Sequence, residues 1–115
     1  MLPEMILFSV ALLCVFAGCL VPNEWLPTLP NDKLLHFVAY AGLTLLAARI
    51  ADGWGQFACW AAALAVAGWL VECLQRLVPG RGFSWRDQLA NAAGIGCAML
   101  ATGLLRQTGA GRFFL

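Results

Sequence analysis

Four apolar stretches separated by short polar breaks organise the chain, over residues 5–21, 34–50, 55–78 and 88–105. Each is about long enough to cross roughly 30 Å of hydrocarbon as a helix, and the first is the shortest. Backbone groups in lipid must be satisfied internally, and no stretch alternates as a barrel strand does, so helices are the expected solution. The pattern predicts an all-α fold, an integral membrane bundle of four transmembrane helices in a single domain over residues 1–115.

The breaks have clear chemistry. Pro22, Pro27 and Pro30 punctuate the first loop, and Asn31 and Asp32 offer caps for the second helix. Asp52-Gly53 turns the chain between the second and third helices, and Pro79-Gly80-Arg81-Gly82 stops the third. Ser84-Trp85-Arg86-Asp87 has capping-box spacing and should start the fourth. A short tail begins at Gly109. Small residues four apart, Ala61 and Ala65, then Ala90, Gly94 and Ala98, mark faces where helix backbones can approach closely. Short loops then make sequential helices antiparallel neighbours.

Composition agrees. Of 115 residues, 62% are hydrophobic and 11% charged, which cannot clothe a soluble domain of this size in polar surface. The mean hydropathy is +0.80. A net charge of +1 provides no broad basic face, so no nucleic-acid partner is expected. The first stretch lacks a basic start and a clear small-x-small cleavage site, so it reads as a retained helix rather than a signal peptide. Cys14, Cys19, Cys59, Cys73 and Cys97 all lie in apolar segments without zinc-type spacing, and read as small packing residues. Trp25, Trp54, Trp60, Trp69 and Trp85 lie mostly toward segment ends and read as interfacial anchors.

Four spans put the first and third loops on one side of the membrane, and most of the chemistry lies there. Asp32, His36 and Tyr40 follow one another at i, i+4 along the second helix. Glu72 and Gln75 share a face near the end of the third helix, and Asp87 and Asn91 share one at the start of the fourth. Arg81 and Arg86 lie in the connecting loop. Glu72 is the most informative of these, because an acid in an apolar run costs several kcal/mol by most estimates unless it has a partner or a purpose.

Each group has a functional and a structural reading. His36 can serve as a general acid or base with Asp32 orienting it, or as an interfacial hydrogen-bonding residue, with Asp32 a helix cap. Glu72 can be a base, a proton carrier or a counter-ion for a ligand, or the partner of Arg76 or Arg81 in an ion pair. Arg81, flanked by glycines, suits bidentate recognition of phosphate or carboxylate, or snorkels to headgroups. Asp87 fits a capping-box acid, and Asn91 a cross-link between helices. Arg86 reads as a snorkelling side chain. A metal held by His36, Glu72 and Asp87 is not expected from a chain with one histidine and no ligand motif, and no cofactor is expected.

The ordered set Asp32-Lys33-x-x-His36-Phe37-x-x-Tyr40, Glu72-x-x-Gln75, Pro79-Gly80-Arg81 and Asp87-x-x-x-Asn91-x-x-Gly94 resembles the VanZ-like membrane proteins. Its order and spacing match across the second to fourth helices. The resemblance implies a small multi-helix protein of the bacterial cell envelope, in the cytoplasmic (inner) membrane. The founding member is linked to low-level resistance to the glycopeptide teicoplanin, and no settled biochemical activity comes with the family. Resistance to a drug acting outside the membrane implies an extracytoplasmic motif face. The positive-inside count is close to a tie between Lys33, Arg76, Arg81 and Arg86 on the motif side and Arg49, Arg106, Arg112 and the amino terminus on the other. Committing Arg81 and Arg86 to the site tips it toward cytoplasmic termini.

Three functions follow as expectations. A binding module holds an anionic lipid headgroup or glycolipid envelope intermediate, with Arg81, Gln75, Tyr40, Asp87, Asn91 and Lys33 as ligand-binding residues. An enzyme on such a lipid uses His36 and Glu72 for acid–base work and Asp32 to orient the histidine. A structural or transport component uses the polar cluster only to hold helices or relay protons, and transport through so small a bundle needs a homo-oligomer.

Overall fold

The computed structural model describes residues 2–20, 32–78 and 82–108, with Asp32 described by its backbone alone. Pro22, Trp25, Pro27, Pro30, Asn31, Pro79, Gly80, Arg81 and the tail from Gly109 with Arg112 lie outside the described residues. The described residues form four helices, α1 (Leu2–Leu20), α2 (Asp32–Ile50), α3 (Trp54–Leu74) and α4 (Trp85–Arg106), with a 3-10 turn, Gln75–Leu77, continuing α3. Segments Leu2–Leu20, Lys33–Ile50, Trp54–Leu77 and Trp85–Arg106 are long and apolar enough to cross a membrane. The chain is an all-α, four-helix membrane bundle.

The helix ends show where apolar pattern alone misjudges a boundary. α1 starts at Leu2 rather than at residue 5, because Pro3 sits in the first turn, where a missing N–H breaks no helical bond. α4 starts at Trp85 rather than at residue 88, because Ser84 caps it. The Ser84 hydroxyl oxygen accepts from the Asp87 N–H at 3.2 Å. Between α2 and α3, Gly53 takes φ 97°, a left-handed conformation that costs a side-chain-bearing residue more than glycine. The Asp52 N–H there donates to Gln56 Oε1 at 2.7 Å. α3 then tightens, and the Val78 N–H donates to the Gln75 carbonyl at 3.2 Å.

α2 and α4 form the closest pair. A Cβ on Gly94 would run into the Phe37 carbonyl oxygen and lie 3.1 Å from the Ala41 amide nitrogen, so glycine is what lets these backbones meet. The core is built from Tyr40, Leu43 and Ala47 of α2, Phe57, Ala61 and Leu64 of α3, and Ile95 of α4. Buried Thr44 and Thr102 spend their hydroxyls on the carbonyls of Tyr40 and Ala98, one turn back. α1 is more peripheral. It buries Phe8, edge-on to Trp60 at 5.1 Å, and Cys19.

The outer surface is apolar. Leu13, Val66, Leu70, Leu89 and Leu100 are all exposed, as suits a surface facing lipid. Cys14, Cys59 and Cys97 are exposed there as well, so they line the outside rather than pack helices together, while Cys19 is buried and Cys73 half-buried. Trp54 and Trp85 open α3 and α4 at opposite ends of the bundle and are exposed, as boundary anchors should be. Trp60 instead lies within α3 and packs inward on Phe8. At the end carrying Trp54, Arg49 Nη2 meets Glu4 Oε1 at 3.1 Å, joining α2 to α1.

Candidate functional site

The end of the bundle formed by the close of α3 and the starts of α2 and α4 gathers Lys33, His36, Tyr40, Glu72, Asp87 and Asn91. Tyr40, Glu72 and Asn91 are almost fully buried, at 1%, 0% and 2% exposure, and Asp87 is buried too. His36 is nearly so, and Lys33 sits at the rim with 43% of its side chain exposed.

The imidazole of His36 sits between Asn91 and Asp87 of α4. Its Nδ1 lies 2.9 Å from Asn91 Oδ1, so with the amide in this orientation Nδ1 carries the proton and donates. Its Nε2 faces Asp87 Oδ2 at 3.7 Å. Lys33 Nζ lies 3.1 Å from the other Asp87 oxygen, a charge contact outside good hydrogen-bond angles. Among the described residues, the carboxylate beside His36 is that of Asp87, on α4. Asp32, one turn before His36, opens α2, and its side chain lies outside the described residues.

Asp87 is available for this because the capping box is incomplete. Ser84 does cap the Asp87 N–H. The reciprocal acceptor for the Ser84 N–H, however, is Glu72 Oε2 on α3 at 3.2 Å. Glu72 thus braces the loop before α4, and Asp87 turns toward α2. Arg76, one turn after Glu72, places its guanidinium over the Phe83 ring at 5.2 Å. Ligand atoms of His36, Glu72 and Asp87 all lie within 4.8 Å of one another.

The other residues sort by partner. Gln75 is buried and turns to α1, where its Nε2 donates to the Cys19 carbonyl at 2.8 Å. That carbonyl lies in the last turn of α1, so the bond ties the end of α1 to the end of α3. The Tyr40 hydroxyl is buried and has no hydrogen-bond partner among the described residues. It approaches α3 at Gly68, where a Cβ would lie 3.2 Å from both the hydroxyl and the Asn91 amide nitrogen. Arg86 is exposed, and Arg81 lies outside the described residues. Gly68 and the Ser84 backbone were not singled out as site components by sequence. Gly68 belongs to an apolar run, and a backbone N–H carries no signal in the residue code.

Comparison with known proteins returned no match to a family model, to a curated protein or to a solved structure.

Proposed function

We propose that this protein binds the headgroup of an anionic lipid or envelope intermediate at the polar cluster at one end of the bundle. The observation that carries the reading is the meeting of Lys33, His36, Glu72, Asp87 and Asn91 from three helices at one end of the bundle. Half-exposed Lys33 supplies positive charge at the rim, with Arg81 as the second cation in the reading. The Tyr40 hydroxyl and the Asn91 amide supply hydrogen bonds. With the motif resemblance, the reading places the protein among VanZ-like proteins of the bacterial inner membrane, its motif face extracytoplasmic and its termini cytoplasmic. A contribution to teicoplanin resistance belongs to the same proposal.

A catalytic form has its own support. His36 is fixed by Asn91 on one nitrogen and faces a carboxylate with the other, as a positioned acid or base would be. In that form Glu72 is the second acid–base group and the bound lipid is modified.

Native mass spectrometry in mild detergent tests the binding reading, with wild type beside Lys33→Ala, Arg81→Ala and Glu72→Gln. A defined lipid retained by wild type and lost from folded Arg81→Ala supports it, and supplies the substrate for turnover assays. Folded samples that all lack lipid refute it and leave the cluster a structural device.

A further inference from the structure

We propose that His36, Glu72 and Asp87 bind one divalent transition-metal ion, of the zinc class. Imidazole and carboxylate donors suit such ions, and three protein ligands with an open fourth position form a familiar reactive zinc arrangement. The three side chains come from α2, α3 and α4, so no spacing motif announces them.

The geometry is close to a closed site. Ligand atoms about 2.1 Å from a tetrahedral ion lie roughly 3.4 Å apart. His36 Nε2 and Asp87 Oδ2 are already 3.7 Å apart. The widest separation in the trio is at most 4.8 Å. Closing it takes a shift of about 1.4 Å, within reach of a side-chain torsion at Glu72.

The surroundings resemble those of a metal ligand set. A ligating histidine generally gives its other N–H to an oxygen acceptor, which fixes the tautomer and aims the lone pair. Asn91 Oδ1 does this at His36 Nδ1, leaving Nε2 toward the carboxylates. The Ser84 N–H steadies Glu72. Lys33 touches Asp87 through Oδ1, which leaves Oδ2, the oxygen facing His36, to the ion. Two carboxylates this close to one imidazole form an anionic donor set that attracts a dication. The fourth position takes water or an oxyanion.

The inference does not depend on lipid binding and is tested separately. Tag-free full-length protein is purified in mild detergent, stripped with chelator, returned to Zn2+, and its metal content measured by mass spectrometry. Co2+ then serves as the spectroscopic probe. Expected is one Zn2+ per chain, displaced by Co2+, with a cobalt spectrum free of thiolate charge transfer. Folded His36→Ala and Asp87→Asn should each bind Zn2+ at least about tenfold more weakly, and Asn91→Ala, acting through His36, by a similar factor. A variant lacking all five cysteines should bind as wild type does. Three results overturn the site: well-folded wild type that holds only a small fraction of an equivalent, His36→Ala that binds normally, or a cobalt–thiolate band. Wild-type stoichiometry and the cobalt spectrum decide the matter even where a variant does not fold. Chelated protein that rebinds no Zn2+ yet retains its lipid defeats the metal site and leaves the headgroup reading standing.

Discussion

The Ser84 N–H donates to Glu72 Oε2 across 3.2 Å, so the acid of α3 takes the place that Asp87 would fill in a complete capping box. The exchange frees Asp87 to meet Lys33 and His36, and it gives Glu72 a structural role at the edge of the site. Two changes at Glu72 should therefore differ. Glu72→Gln keeps an oxygen acceptor for Ser84 and should fold with little loss. Glu72→Ala leaves that N–H unmet and should cost roughly 1–3 kcal/mol in denaturant unfolding in detergent. Equal stability of the two variants would show that the contact does not matter.

Gly94 should be far less replaceable than Gly96. A Cβ at Gly94 meets the backbone of α2, whereas one at Gly96 meets nothing within 4 Å. Gly94→Ala should destabilise the bundle by about 1–3 kcal/mol, the usual cost of overpacking a close contact. Gly96→Ala should be neutral or mildly stabilising, since alanine favours helix. Unfolding of the two variants side by side checks this, and a stable Gly94→Ala protein would contradict the close α2–α4 packing.

The four spans could be read from the chain because lipid imposes a simple rule: long apolar runs become helices. Glu72 could also be singled out, since an acid in such a run is conspicuous. What one-dimensional spacing could not supply is which helices turn toward each other. The i, i+4 rule pairs His36 with Asp32, its neighbour on the same helix. The Asp32 side chain lies outside the described residues, and the described contacts of His36 are with Asp87 and Asn91 of α4, a pairing set by the Gly94 approach between α2 and α4. Gln75 makes the same point. It shares a helix end with Glu72, yet its amide serves the Cys19 carbonyl of α1. The sequence names His36, Glu72 and Asp87 as a conceivable metal set yet gives no reason to expect one, because metal motifs are recognised by local spacing and these residues come from three helices.

Gln75 is the polar tie that holds the end of α1 to the bundle. Gln75→Ala removes this buried hydrogen bond and should cost about 1 kcal/mol. A sharper readout is the Cys19 thiol, which is buried while Cys14, Cys59 and Cys97 are exposed. Labelling with a membrane-permeant maleimide, with sites assigned by mass spectrometry, should be faster at Cys19 in the variant and unchanged at the other three. An unaltered Cys19 rate would mean that the Gln75 bond does not seat the end of α1.

The Tyr40 hydroxyl separates structural from functional roles more directly than any charged residue of the site. It is buried and has no hydrogen-bond partner among the described residues, so the fold gains nothing visible from it. An unmet buried hydroxyl is itself unfavourable by roughly 1–3 kcal/mol. Tyr40→Phe keeps the ring that packs against Gly68 and removes only that oxygen. On packing grounds the variant should be as stable as wild type or more so. If the hydroxyl serves a headgroup, the same variant should retain less lipid in native mass spectrometry. A gain in stability with a loss of lipid is the combination expected of a residue kept for binding. A loss of stability with lipid retained would instead assign the hydroxyl to holding the helices together.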